Sequence, residues 1–369
     1  MKILHFYKTY FPDSYGGIEQ VIYQLARGST ERGHDVDVLS LSKDVRASSI
    51  ELEGHTAHRA HLAFEIASTG TSFTVFKRFS ELARAADVIH YHFPWPFQDM
   101  VHFVTRTSKP TVLTYHSDIV RQKQLLKFYR PLMMRFLGSV DRIVATSPNY
   151  LATSQILNRF REKTIVAPIG LDRSTYAAPS EEALARWRVD VGEKFFLFVG
   201  MLRYYKGLHI LLDAIAGTDL PVVIVGSGPM ERELRAKAQE LKLSNIIFLG
   251  EVSEEDKIAL LTLCFSVVFP SHLRSEAFGV SLLEGAMFGK PMISSEIGTG
   301  TTFINIHGET GFVVAPADAG AFRRAMQHLV EHPLEAKRMG ENAYLRYQRL
   351  FTADKMVSRY LELYGELLD

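Results

Sequence analysis

The sequence predicts an α/β protein built as two successive halves, each of parallel strands alternating with helices. Three observations carry that expectation. Short apolar runs of strand length recur along the whole chain, each followed by a stretch with helical apolar spacing. At 369 residues the chain is too long for one core and about right for two domains. A polar stretch from Tyr176 to Glu193, carrying Ala177-Ala178-Pro179-Ser180, reads as a linker. The expected division is 1–175 with a terminal helix at 351–369, and 176–350.

Composition narrows the class. Hydrophobic content of 47% and charged content of 22% are ordinary for a globular protein. A net charge of +1 gives no overall pull toward nucleic acid. Cys264 is the one cysteine, lies in an apolar stretch, and favours a reducing cytoplasm over a disulfide framework. The start, Met1 to Tyr7, reads as a strand rather than a signal peptide. No apolar run approaches the length of a bilayer span, so any membrane contact is expected to be peripheral.

In the first half, Met1 to Tyr7 is the opening strand and Ile18 to Arg32 a helix with apolar Ile18, Val21, Ile22 and Leu25. Gly16 and Gly17 stand at the turn between them, where a backbone without side chains can approach a ligand. Gly33 to Leu39 is the next strand. Its Asp35-Val36-Asp37 has the D-x-D spacing of a metal motif, but period-2 alternation puts both carboxylates on one face, read as a solvated strand edge. The expected protein is metal-independent. Ala86 to His92 is a strand ending in an aromatic loop, Phe93 to Phe97. His90 and His92 share a face, and with no third ligand in view they read as loop or pocket lining. Thr111 to His116 follows, with His116-Ser117-Asp118 just past its carboxyl end, where ligands gather in open parallel sheets. His116 is therefore a candidate polar contact to substrate.

Residues 119–138 form a basic amphipathic helix. Leu125, Phe128, Tyr129, Leu132, Met133 and Phe136 recur at helical spacing, while Arg121, Lys123, Lys127, Arg130 and Arg135 face no acid between Ile119 and Val140. Such a helix suits an anionic bilayer surface as well as a sheet face. Val140 to Ser147 and Lys163 to Pro168 complete the half, and Ile169-Gly170-Leu171-Asp172 turns out of it.

In the second half, Phe195 to Gly200 is a strand, followed by Met201 to Gly207 and a helix from Leu208 to Ile215. Arg203 and Lys206 in that loop form a candidate diphosphate clamp. Pro221 to Gly226 is a strand that turns through Gly226-Ser227-Gly228-Pro229 into a helix, Met230 to Leu241. Asn245 to Gly250 ends at Glu251-Val252, a candidate edge for nucleobase contacts. After the helix Glu254 to Leu263, the strand Phe265 to Pro270 leads into Ser275 to Pro291. There Gly279 bends the chain, and a helix from Val280 to Phe288 opens with unpaired N–H groups and a positive dipole end, suited to an anion such as a diphosphate. Glu276 in the turn and Glu284 in the helix each present a carboxylate able to take a vicinal diol. Met292 to Ser295 and Gly311 to Val314 are the last strands, separated by a polar Gly-rich loop, Glu296 to Thr302. Ala319 to Glu331, Pro333 to Arg349 and Phe351 to Leu368 are helices.

Gly16-Gly17-Ile18-Glu19, Gly33-His34-Asp35-Val36, His116-Ser117-Asp118, Pro168-Ile169-Gly170-Leu171-Asp172, Lys206-Gly207, Gly226-Ser227-Gly228-Pro229 and Glu276 through Pro291 together resemble the family-four retaining glycosyltransferases of the GT-B fold, over essentially the whole chain. The resemblance implies two Rossmann-like domains facing each other across a cleft, with the C-terminal helix crossing back to the first. It implies a nucleotide-sugar co-substrate, and no cofactor, held mainly by the second domain. Glu284 would bind ribose hydroxyls, and Glu276 with the backbone of Phe278, Gly279 and Val280 would hold the sugar. Lys206 and Arg203 would grip the diphosphate, Gly16 and Gly17 would cover it, and His116 would face the sugar. Gly226, Gly228, Glu251 and Val252 complete the expected donor site.

Two departures stand out. The family's Arg after the strand valine is Met201 here, and the loop Ile297 to Thr302 lacks the usual Gly-Gly-x-x-Glu. With Arg203-Tyr204-Tyr205-Lys206-Gly207, the chain resembles the subgroup that adds mannose, or a deoxymannose such as D-rhamnose, from a GDP-sugar to a lipid-linked saccharide in lipopolysaccharide O-antigen assembly. A UDP-sugar donor (glucose, galactose or N-acetylglucosamine) and a non-catalytic sugar-nucleotide binder are the alternatives. A dinucleotide oxidoreductase is disfavoured, because the first turn lacks G-x-G-x-x-G.

Overall fold

Two sheets, one wholly parallel and one parallel but for an edge strand, each flanked by its own helices, account for the described strands apart from one short hairpin. The computed structural model describes residues 1–369 except 45, 67, 68 and 120–122, and describes backbone alone at 66, 69 and 123–125. The chain divides into two units, Met1–Leu171 with Ala353–Asp369, and Asp172–Thr352.

The first unit contains β1 (Lys2–Phe6), β2 (Asp35–Ser42), β3 (Ser49–Leu52), β4 (His55–His61), β5 (Phe64–Ile66), β6 (Thr69–Thr71), β7 (Val88–Phe93), β8 (Thr111–Tyr115), β9 (Arg142–Ala145) and β10 (Thr164–Val166). Eight of these form one sheet in the order β10-β9-β8-β7-β1-β2-β4-β3, while β5 and β6 make a separate antiparallel hairpin. Every pairing in the large sheet is parallel except β3 with β4. Strand order reverses direction between β1 and β7. In open α/β sheets the loops leaving the carboxyl ends at that reversal build the ligand crevice. Here those loops begin at Tyr7 and Pro94. The terminal helix Ala353–Leu368 belongs to this unit: the Ala353 N–H donates to the Leu171 carbonyl at 3.0 Å, and Tyr360 and Tyr364 are buried.

The second unit is simpler: β11 (Phe196–Val199), β12 (Val222–Val225), β13 (Ile246–Gly250), β14 (Ser266–Phe269), β15 (Met292–Ser295) and β16 (Gly311–Val314), all parallel, in the order β13-β12-β11-β14-β15-β16. Its reversal lies between β11 and β14. Apolar residues on the strands explain its formation, because a parallel sheet covered on both faces needs continuous apolar strands rather than alternation. Phe196, Phe198, Ile224, Val268 and Ile293 are buried against Leu211, Leu212, Met326 and Leu329 of the flanking helices.

Three sequence readings need correction. Tyr176–Glu193 is not a loose linker: Glu181–Val191 is a helix capped by Ser180, with Leu184 and Trp187 buried, and the Trp187 Nε1–H donates to Asp256. Asp37 is not on a solvated edge, because β2 lies between β1 and β4. Its buried carboxylate meets His58 Nε2 at 2.7 Å and Lys2 Nζ at 3.1 Å. His90 and His92 lie within β7 and are wholly buried rather than lining a loop. The basic segment forms a helix, Lys123–Ser139, that buries Met133, Phe136 and Leu137 but leaves Phe128 86% exposed. Arg121 lies outside the described residues.

Candidate active site

In the second unit the two loops at the sheet's reversal carry the expected pair. The loop after β11 ends in a short 3-10 turn, Tyr204–Lys206, and that after β14 runs from Pro270 to Gly279, ahead of the helix Val280–Met287. The backbone joins them, since the His272 N–H donates to the Tyr205 carbonyl at 3.0 Å. Gly207 is where they meet: its φ is +71°, and a Cβ there would stand 2.0 Å from the Pro270 carbonyl oxygen. Only glycine fits that left-handed, crowded position.

Lys206 Nζ then lies 2.5 Å from Glu276 Oε2, with the Ser271 hydroxyl donating to the same oxygen at 3.2 Å. The ammonium also sits 4.9 Å above the Phe269 ring centroid. Burial alone would lower the Lys206 pKa, but the Glu276 carboxylate outweighs it and the net shift is upward. The lysine is thus a permanent cation with its counter-ion supplied by the neighbouring loop.

Glu284 lies in the helix after that loop and is also buried. Its Oε1 accepts from the Tyr176 hydroxyl at 2.9 Å and from Lys257 Nζ at 2.9 Å. Burial opposes the charge on Lys257, and Glu284 with Glu254 more than restores it, raising its pKa. Sequence reasoning missed Tyr176, Lys257 and Ser271. Tyr176 was hidden in the supposed linker, and Lys257 is the first cation after three consecutive acids at a helix start, Glu254-Glu255-Asp256.

The other expected donor residues divide. Phe278 is buried, and Gly279 caps the helix in a left-handed conformation with Val280 as its first residue. Gly228 packs backbone against backbone: at φ +158°, its Cβ would lie 2.7 Å from Leu202 N and O, which accounts for the glycine without a ligand. The Gly226 N–H donates to the Gly250 carbonyl at 2.7 Å. Exposed Glu251 accepts from the Ser227 hydroxyl at 2.5 Å, and Val252 is half-buried. Arg203 is exposed, its Nε 2.9 Å from Met201 Sδ, and the salt bridge of its loop is made by Lys206. The Glu296–Thr302 loop braces the Glu276 loop, through Arg274 donating to the Gly298 carbonyl at 2.7 Å and the Gly300 N–H to that of Ala277 at 2.7 Å.

In the first unit, Gly16 is the N-cap of the helix Gly17–Thr30, and Glu19 fills the space beside it. The Glu19 carboxylate accepts from Thr9 and Ser14 hydroxyls at 2.8 and 2.9 Å, tying the preceding loop to the helix start. His116 extends β8 by donating its N–H to the Phe93 carbonyl at 3.0 Å. Its ring enters a row: His116 Nε2 meets His92 Nδ1 at 3.0 Å, and His92 Nε2 meets His5 Nδ1 at 3.0 Å. Burial lowers the pKa of both His116 and His5 to about 3. His90 stacks beside the row, bonded to Thr114 at 2.7 Å and to the Tyr364 hydroxyl at 2.6 Å. The third imidazole that the sequence reading could not find near His90 and His92 is therefore His5 of β1, with candidate ligand atoms of the three within 4.8 Å.

Residues 15–175 match the family model described as Glycosyltransferase Family 4, and residues 179–346 the one described as Glycosyl transferases group 1. Over 353 residues the chain is 62% identical to the D-rhamnosyltransferase WbpZ of Pseudomonas aeruginosa, covering 96% of this chain and 93% of that one. The chain belongs to the family-four glycosyltransferases. It is also 52% identical to the O-antigen chain mannosyltransferase C of Escherichia coli, covering 100% of this chain and 99% of the relative. Among solved structures, the sucrose-phosphate synthase of Thermosynechococcus elongatus superposes with a TM-score of 0.81 at 24% identity, covering 99% and 98% of the two chains. At that identity the likeness concerns the fold alone, and the fold is GT-B. In this glycosyltransferase, the geometry offers two buried carboxylates, Glu276 and Glu284, each paired with a largely buried cation, Lys206 and Lys257, within a single unit, the Lys206–Glu276 pair on the carboxyl side of its sheet. Among the described residues, no helix is long and apolar enough to cross a membrane.

Proposed function

We propose that this glycosyltransferase moves mannose or D-rhamnose from a GDP-sugar to a lipid-linked saccharide in O-antigen assembly, with retention of anomeric configuration and without a metal. The observation that carries the reading is the Lys206–Glu276 pair at the reversal of the second sheet. A buried ammonium there meets the requirement of the reaction, which builds charge on a leaving diphosphate as the sugar–phosphate bond breaks. When the donor binds, Lys206 exchanges Glu276 for diphosphate oxygens. Glu276 turns to the sugar hydroxyls beside the N–H groups of Gly279 and Val280, and Glu284 takes the ribose diol. No side chain is assigned as nucleophile. The choice of sugar is supported by the two relatives, a D-rhamnosyltransferase and a mannosyltransferase. Exposed Lys127, Phe128, Arg130 and Arg135 support peripheral contact with an anionic bilayer, where a lipid-linked acceptor resides.

The test is a comparison of nucleotides. A ligand that binds only the native state raises Tm, by RT ln(1 + [L]/Kd) in stability, so GDP should raise Tm where UDP does not. Transfer from GDP-mannose and GDP-D-rhamnose to a lipid-linked saccharide, with the anomeric centre read in the product, follows. A Tm rise with UDP alone, or an inverted product, would refute the reading.

A further inference from the structure

We infer that the buried row His5–His92–His116 sets the tautomer of His116, fixing its proton on Nδ1 and making that nitrogen a hydrogen-bond donor at the carboxyl end of the first sheet. The argument starts at the far end of the row. A neutral imidazole has one N–H and one bare nitrogen. His5 and His92 have no solvent exposure, and among the described residues His5 Nε2 has no hydrogen-bond partner. A buried N–H with nothing to donate to is rarer and costlier than a bare lone pair, so Nε2 is the bare nitrogen and Nδ1 carries the hydrogen.

The rest of the row follows by alternation. His5 Nδ1–H donates to His92 Nε2 at 3.0 Å, which leaves the His92 proton on Nδ1. His92 Nδ1–H donates to His116 Nε2 at 3.0 Å, which leaves the His116 proton on its own Nδ1. Burial keeps all three rings neutral, lowering the pKa of each, so the alternation is not broken by an extra proton. His116 alone retains some exposure, at 6%, and no described residue hydrogen-bonds its Nδ1. His90 does not compete, since its two nitrogens are taken by Thr114 and the Tyr364 hydroxyl.

The consequence is chemical. His116 Nδ1–H can hold an oxygen lone pair, such as that of a sugar hydroxyl or of an anionic oxygen, and cannot remove a proton through that nitrogen. His116 is thus a donor rather than a general base, and His5 and His92 are positioning residues acting through it. The catalytic value of that donor rests on the transferase reading above; the tautomer does not.

The direct measurement is the ring 15N–1H correlation spectrum of the full chain labelled at histidine, at pH 7 and without substrate. Protonated Nδ1 with bare Nε2 at His116, and bare Nε2 at His5, are expected; protonated Nε2 at His116 overturns the inference. His5→Leu sets an apolar side chain against His92 Nε2, where the same rule leaves that nitrogen bare, so His116 should keep its proton on Nδ1. His5→Asp, with its carboxylate ionised, offers only an acceptor at the far end; the His92 proton should then sit on Nε2 and the His116 proton on Nε2. Turnover of His5→Asp with GDP-mannose should fall about tenfold or more with donor KM little changed, while His5→Leu keeps most of it. A His116 proton moved to Nε2 in His5→Leu, or left on Nδ1 in His5→Asp, also overturns the inference. If the wild-type protein transfers no sugar from any nucleotide donor, the transferase reading fails, and the spectra still decide the row.

Discussion

Lys206 and Glu276 neutralise each other across two loops that leave different strands of one sheet, Nζ standing 2.5 Å from Oε2 with both side chains almost withdrawn from water. The Ser271 hydroxyl of its own loop hydrogen-bonds Glu276, but the carboxylate's counter-charge comes from the other loop. The pair therefore fastens the end of β11 to the end of β14, and it stores a cation where the proposed donor would place its diphosphate.

That dual role separates stability from turnover. Lys206→Met strands a buried carboxylate, and breaking a buried pair costs about 3–5 kcal/mol of stability. The double variant Lys206→Met with Glu276→Gln leaves no lone charge and should recover most of that loss in urea titrations. Turnover should not recover: both the single and the double variant should be slower than wild type by about 10²-fold or more, since the leaving group has lost its cation. Wild-type turnover in either would remove the assigned role.

Glu284 gives a different signature. Tyr176 and Lys257 both bond Oε1 and hold the carboxylate in one orientation. A hydrogen bond to a charged group contributes about 1.5–3 kcal/mol. Glu284→Gln should therefore raise donor KM about tenfold or more, with a smaller effect on kcat than Lys206→Met. Tyr176→Phe should act in the same direction and more weakly. Steady-state kinetics with the donor varied would check both; a fall in kcat at constant KM contradicts ribose binding by Glu284.

Much of this site was readable before any coordinates, for a physical reason. Strands of the second unit are covered on both faces, so they appear as unbroken apolar runs such as Phe196 to Val199, and the turns between them follow from glycine. Lys206, Glu276 and Glu284 were placed by that local grammar. What escaped was set by contacts between strands. His55–His61 reads His-Thr-Ala-His-Arg-Ala-His, with no apolar alternation to mark it as β4. Asp37 is buried because His58 and Lys2 lie on neighbouring strands, and the histidine row exists because parallel pairing of β1 with β7 and of β7 with β8 brings His5, His92 and His116 together. Lys257 reaches Glu284 from another helix. No window along the sequence contains these relations.

The meeting of the two loops at Gly207 can be tested without touching a charged group. A Cβ there would overlap the Pro270 carbonyl oxygen, at 2.0 Å, in a left-handed conformation that L-residues disfavour. Gly217 also has a positive φ, at +70°, but has open space around it. Gly217→Ala should cost about 1–2 kcal/mol, from the backbone alone. Gly207→Ala should cost clearly more, because backbone must move on one side or the other, and should lower turnover by displacing Lys206. Equal losses in thermal or urea unfolding would show that the two loops are not in the contact described.

Acid should weaken the first unit through its histidines. In the unfolded chain an imidazole takes up its proton near pH 6.5, whereas burial delays protonation of His5 and His116 until about pH 3. Between those values the unfolded state binds more protons, so stability rises with pH and is lost as pH falls below 6.5. Each group contributes about 1.4 kcal/mol per pH unit in that window. The two together should remove about 4 kcal/mol between pH 7 and pH 5. His90 and His92, whose pKa values burial also lowers, act in the same direction. Urea titrations at constant ionic strength should show the loss, and His5→Leu should make the acid slope shallower by about one proton. Equal stability at pH 7 and pH 5 would mean that the row is not sealed from water, since imidazoles open to solvent would protonate in the folded and unfolded states alike.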